Sequence, residues 1–130
     1  QMSPAQRLVL ETGFELLYRV GYSKDGCRGL DCGVFLGDSG SDWQTMLVDQ
    51  GAMGPYRMMA QSNCITGSRL SHCLGLLGPV STTDTACSSS LVSANLAYGY
   101  SKKANADVAK SITRMSGGGR AIALGCGLLL

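Results

Sequence analysis

The stretch Thr82-Thr-Asp-Thr-Ala-Cys87-Ser-Ser-Ser-Leu91 constrains this chain more than any other. Its polar, β-branched start suits an extended strand, and the run stops at a cysteine. A serine cluster then opens a segment rich in Leu, Val and Ala, and serine is a favoured helix opener. The pattern predicts strand, tight turn and helix, with one thiol, Cys87, at the corner. A thiol at a helix N-terminus meets the positive end of the helix dipole and unpaired first-turn N–H groups. Both favour the thiolate, and such corners are where cysteine becomes a nucleophile. The competing reading is structural, because most free cysteines are small buried hydrophobes. The corner alone leaves both readings open.

A chain of 130 residues supports one domain with one core. Hydrophobic residues make up 45% and charged residues 15%, with 18 glycines, a balance that suits a compact α/β domain rather than a disordered or fibrous one. The net charge of +2 comes without a basic block, so no nucleic-acid surface is marked. No apolar run reaches the roughly 18 residues of a membrane span. No secretory or targeting segment is recognisable, and a cytoplasmic protein is expected, with a plastid one as the alternative. The cysteines are Cys27, Cys32, Cys64, Cys73, Cys87 and Cys126. They form no Cys-x-x-Cys pair, and His72 is the only histidine. Zinc sites need tetrahedral N/S ligand sets at recognisable spacings, so neither a metal nor a bound cofactor is expected. Reduced cysteines are favoured over a disulfide framework.

Along the chain, Ser3-Pro4 is a helix opening, with serine as N-cap and proline at the first helical position. Leu10, Phe14 and Leu17, with Val9, Leu16 and Val20 beside them, give helical spacing up to a stop at Gly21. After a polar loop at Lys24 to Gly29, Leu30 to Gly37 reads as a strand apolar on both faces. Such strands belong to parallel sheets covered by helices. Asp38-Ser-Gly-Ser-Asp42 is expected to be a loop with Ser41 or Asp42 capping a following helix. A calcium loop there would lack its glycine at Trp43 and its final glutamate at Asp49. Gly51 to Tyr56 reads as a break, and Met53, Met58 and Met59 as core or interface filler. Gln61 to Leu77 is expected to be helical until Gly78-Pro79 ends it. A strand from Val80 to Ala86 then leads into Cys87. The helix beyond carries Leu91, Val92, Ala94, Leu96 and Ala97, which predicts burial on most sides. The more polar Ser101 to Ser116 continues it or forms a second helix, before a glycine loop at Ser116 to Gly119. Ala121 to Leu130 reads as a last buried strand. An apolar strand at a raw terminus exposes surface that a domain normally covers, so truncation at both ends is expected.

Asp84-Thr-Ala-Cys-Ser-Ser-Ser-Leu-Val92 resembles the active-site signature of β-ketoacyl synthases, in the version typical of polyketide synthase ketosynthase domains. Met2-Ser-Pro-Ala-Gln-Arg7, followed by Leu-Val-Leu-Glu-Thr12, resembles that family's Met-Asp-Pro-Gln-Gln-Arg-Leu-Leu-Leu-Glu-Thr helix. Gly33-Val-Phe-Leu-Gly37 with Ser41-Asp42-Trp43, then Arg69-Leu-Ser71 and Gly78-Pro79, are similar to family segments in the same order. The resemblance covers nearly the whole chain. The triple serine favours the polyketide and multidomain fatty-acid branches over thiolases and chalcone synthases.

The resemblance implies a thiolase-like α/β fold, of which residues 1–130 would be the N-terminal part, most of the first half. It implies a decarboxylative Claisen condensation in polyketide or fatty-acid chain elongation. Cys87 would be the nucleophile and hold the acyl chain as a thioester, since a thiolate both attacks and leaves well. The backbone N–H of Cys87 would be an oxyanion donor. The implied partners are an acyl carrier protein bearing acyl and malonyl thioesters on phosphopantetheine, and a second copy of the chain paired through the strand Val80 to Thr85. The family's two condensing histidines lie in His-Gly-Thr-Gly-Thr and Gly-His blocks that this sequence does not contain, and His72 stands where the family has tyrosine. Gly125-Cys-Gly-Leu128 replaces the common Gly-Gly-Val-Asn. The isolated fragment is therefore expected to be inactive in condensation. The alternative is a non-condensing ketosynthase-like partner or scaffold that dimerises and docks carrier protein.

Overall fold

Among the described residues, three parallel strands and three helices are built from the segments the sequence marks out. The structure is a computed structural model and describes residues 2–41, 43, 62–110 and 120–128, with side chains at 40, 41, 104–110 and 126–128 set aside. In chain order the elements are α1 (Pro4–Arg19), β1 (Cys32–Ser41), α2 (Asn63–Leu74), β2 (Val80–Thr83), a 3-10 turn (Ala86–Ser88), α3 (Ser89–Lys110) and β3 (Arg120–Leu128).

The Ser3 hydroxyl accepts the Gln6 N–H at 3.2 Å, and Pro4 opens α1 as expected. The buried face of α1 is Ala5, Val9, Gly13 and Leu17, one residue per turn, with the buried Gln6 beside Ala5. The expected stripe through Phe14 and Leu16 is displaced, because those two remain largely exposed. Gly13 is the reason. A β-carbon there would sit 2.5 Å from Leu70, so the missing side chain lets α1 close onto α2 at this turn.

β1 is the centre of the sheet, in the order β2-β1-β3. Its register runs from Val34 opposite Val80 to Gly37 opposite Thr83 on one side, and from Cys32 opposite Arg120 on the other. Cys32 to Asp38 is buried without interruption, as expected of a strand covered on both faces. Side chains alternate across the sheet. Cys32, Val34, Leu36 and Ile122 join Val9, Leu17, Leu70 and Leu74 in the core under α1 and α2. Phe35 faces α3, its ring centroid 5.7 Å from that of Tyr100.

Several boundaries differ from expectation. β1 does not stop at Gly37 but continues through Asp38 to Ser41, where a loop was expected. Pairing with β3, irregular between Asp38 and Ser41, carries the strand on. α2 ends at Leu74 rather than Leu77, because Gly75 takes a left-handed conformation (φ 66°) and the Leu76 N–H returns to the Ser71 carbonyl at 3.0 Å. α3 is not buried on most sides. Ser89, Ser93 and Ala97 are buried, whereas Leu91, Leu96 and Tyr98 are exposed among the described residues. The helix runs on through the polar stretch to Lys110. The capping role expected of Asp42, the break at Gly51 to Tyr56, its methionines and the glycine loop at 116–119 lie outside the described residues. Among the described residues no helix is long and apolar enough to cross a membrane.

Candidate active site

The strand before Cys87 is shorter than expected, ending at Thr83 rather than Ala86. Cys87 accordingly stands not in the first turn of the α-helix but in the 3-10 turn that precedes it. Ala86 has φ 52°, the one non-glycine at positive φ among the described residues. That left-handed conformation costs an L-residue roughly 1–2 kcal/mol, so the surroundings must hold it. The sequence contains the groups that do so. A carboxylate oxygen of Asp84 accepts the Ala86 N–H at 3.1 Å. The Ser88 hydroxyl lies 2.9 Å from the Thr85 carbonyl and 3.0 Å from the Thr85 hydroxyl. The Ser89 hydroxyl accepts the Thr85 N–H at 2.8 Å and donates to the Ala86 carbonyl at 2.7 Å. Two of the three consecutive serines thus tie down the corner.

The corner leaves the Cys87 side chain exposed. It lies on a cleft of about 240 Å³ lined by Gly37, Ser39, Ala86, Cys87, Ser89, Ser90 and Gly125. Gly37 and Gly125 are partners across the β1–β3 pair, toward the carboxyl ends of parallel strands, where open α/β sheets collect their ligands. Both glycines are needed for α3 to approach. A β-carbon at Gly37 would run into the Ser89 carbonyl group, and one at Gly125 would sit 2.5 Å from the Ser90 β-carbon. The Ser93 hydroxyl, buried, lies 2.9 Å from the Ser90 carbonyl and 3.3 Å from that of Leu124, linking the helix to the floor of the cleft. The cleft walls Gly37 and Gly125 are not among the candidate site residues that the sequence marks. Glycine at the end of an otherwise β-forming run is the signal that marks such a close approach.

The other candidate groups lie elsewhere. His72 and Cys73 line a separate apolar groove with Leu10, Phe14, Leu70 and Leu74, on the α1–α2 side of the sheet. Cys27 and Cys32 are fully buried in the core, and burial pushes both thiols up. The five described cysteine side chains are free thiols. Among the described residues no three His, Cys, Asp or Glu side chains cluster as a metal site would require.

The family model for the β-ketoacyl synthase N-terminal domain matches residues 1–110. The chain belongs to the β-ketoacyl synthase family. It is 44% identical over 98 residues to polyketide synthase GfsB of Streptomyces halstedii, covering 74% of this chain and 2% of that protein. It is 40% identical over 97 residues to erythronolide synthase EryA2 of Saccharopolyspora erythraea, covering 74% of this chain and 3% of that protein. A solved ketosynthase from module 6 of the bacillaene synthase of Bacillus subtilis 168 superposes with a TM-score of 0.64 at 29% identity, over 78% of this chain and 16% of that one. The chain therefore spans only a small fraction of the length of these relatives. The expected thiolase-like α/β fold is the fold it carries in part, a parallel sheet with helices on both faces.

Proposed function

We propose that this chain supplies the acyl-accepting part of a ketosynthase that extends polyketide or fatty-acid chains by decarboxylative Claisen condensation. The observation that carries the reading is the exposed Cys87 thiol on a left-handed corner, over a cleft at the carboxyl ends of parallel strands. Among the described residues no acceptor takes the Cys87 N–H, which leaves it available as an oxyanion donor. In the proposed step the Cys87 thiolate attacks the carbonyl of an acyl-phosphopantetheine thioester. The oxyanion collapses, a new thioester forms on Cys87, and the pantetheine thiolate leaves and takes up a proton. A malonyl thioester then loses carbon dioxide, and its carbanion attacks the acyl-Cys87 carbonyl. The new carbon–carbon bond forms as the Cys87 thiolate departs.

The single histidine, His72, belongs to the α1–α2 groove and not to the Cys87 cleft. We therefore assign condensation to histidines supplied from outside these residues, and only acyl acceptance to this chain. Its partners in this reading are a carrier protein with acyl and malonyl thioesters and a second copy of the chain, in the cytoplasm. The edge strand β2, paired only with β1 among the described residues, is suited to pairing across a two-fold axis. The departure at Gly125-Cys-Gly-Leu128 favours the second reading, a non-condensing partner that docks carrier protein.

A condensation assay on the full-length protein tests this function, following carbon dioxide release and β-ketoacyl product from acyl- and malonyl-loaded carrier protein. Product that disappears in Cys87→Ala is expected. Carrier-protein binding without acyl transfer or product would establish the scaffold instead.

A further inference from the structure

The Ala86 carbonyl oxygen is held twice by one residue. It accepts the Ser89 N–H across the 3-10 turn and the Ser89 hydroxyl at 2.7 Å. The same hydroxyl accepts the Thr85 N–H at 2.8 Å, so one buried oxygen, in a residue only 3% exposed, ties the Asp84–Thr85 peptide to the Ala86–Cys87 peptide across the left-handed Ala86. No peptide bond among the described residues is cis. In a trans peptide the C=O and the following N–H point in opposite directions. Anchoring the Ala86 carbonyl to Ser89 therefore fixes the direction of the Cys87 N–H, turning it away from the helix. Ser89 itself cannot shift outward without losing its seat, because its backbone is packed against Gly37.

We propose that Ser89 is a positioning residue for acyl transfer: its hydroxyl aims the Cys87 N–H at the developing oxyanion. This rests on the reading of Cys87 as the acyl acceptor. The donor matters only when a carbonyl carbon becomes tetrahedral and its oxygen gains charge. Alkylation of the same thiol by a haloacetamide proceeds by displacement of halide and builds no oxyanion. The two reactions of one sulfur thus separate aiming from access and from thiol reactivity.

The test uses the full-length protein and compares Ser89→Ala with Ser89→Thr, which keeps the hydroxyl. Acylation of Cys87 by an acyl-pantetheine thioester and alkylation of Cys87 by iodoacetamide are each followed by mass spectrometry. Ser89→Ala is expected to slow acylation at least about tenfold while alkylation stays within about twofold of wild type, and Ser89→Thr to restore most of the acylation rate. Unchanged acylation in Ser89→Ala overturns the proposal. So does an equal fall in both reactions, which would make Ser89 a general support of the corner. Failure of the wild-type protein to acylate at Cys87 would instead sink the acyl-acceptor reading on which the proposal stands.

Discussion

The two ends of the sheet each hold a cysteine, and they treat it in opposite ways. At the amino end of β1, Cys32 is 1% exposed and sits in the core near the fully buried Cys27. Burial pushes its thiol up; Arg120 pulls it back, and Asp31 and Cys27 add to the rise. Tyr100 closes over this end, donating to Asp31 at 2.9 Å and packing on Phe35. At the carboxyl end, glycines replace side chains at Gly37 and Gly125, the chain turns through a left-handed alanine, and Cys87 is left exposed over a cleft. A thiol packed at one end contributes to the core, whereas the thiol at the other is left open to solvent. The difference comes from backbone and packing, not from the cysteine itself.

The largest contrast should come from removing each sulfur. Cys87→Ala is expected to lower acyl transfer at least about a thousandfold while changing stability by less than about 0.5 kcal/mol, as exposed positions do. Cys32→Ala should do the reverse, costing about 1 kcal/mol in urea unfolding with acyl transfer per folded molecule unchanged. If Cys32→Ala abolished transfer with the fold intact, the division between the two ends would be wrong.

Next come the glycines. At Gly37 an added methyl meets the Ser89 backbone, which cannot rotate away, and Gly37→Ala should cost about 2–3 kcal/mol. At Gly33 the methyl would meet side-chain rings rather than backbone, Phe35 at 2.7 Å and Tyr100 at 3.3 Å, and a ring can tilt where a backbone carbonyl cannot. Gly33→Ala should cost about 1 kcal/mol. Equal unfolding midpoints for the two variants would mean that α3 is not seated as described.

The elements were legible because they follow local pattern: Ser3-Pro4 for α1, the apolar run of β1, the serines of α3. The position of Cys87 was legible too, as a break between β-branched and small residues. Less legible were effects set by contacts distant in sequence. Gly13 moves the buried stripe of α1 by admitting Leu70. β3 draws β1 on past Gly37. The serines read as helix openers, yet Ser88 and Ser89 turn back to hold Thr85 and Ala86. Nor does the burial of Cys27 show in a polar loop whose other residues are exposed.

Smaller effects sharpen the amino end. Both buried thiols have folded values above the ordinary thiol value of roughly 8.5. Their stabilising contribution is fully present below that ordinary value and is lost as pH rises through the folded one. Thermal stability should therefore fall on the alkaline side of pH 8.5 or so, and Cys32→Ala should blunt the fall. A pH-independent melting temperature in that window would contradict the burial of these thiols. Tyr100→Phe removes one partly exposed hydrogen bond and should cost only about 0.5 kcal/mol, read from the same unfolding curves.

The central claim is that Cys87 accepts the acyl chain. Exposure alone does not single it out, because Cys64 and Cys73 are exposed as well. The direct measurement is to incubate the full-length protein with an acyl-pantetheine thioester and locate the added acyl mass by peptide mapping. Acylation on the peptide carrying Cys87, with Cys64 and Cys73 unmodified, is the result this account predicts. Acyl groups on Cys64 or Cys73 with Cys87 spared would contradict it.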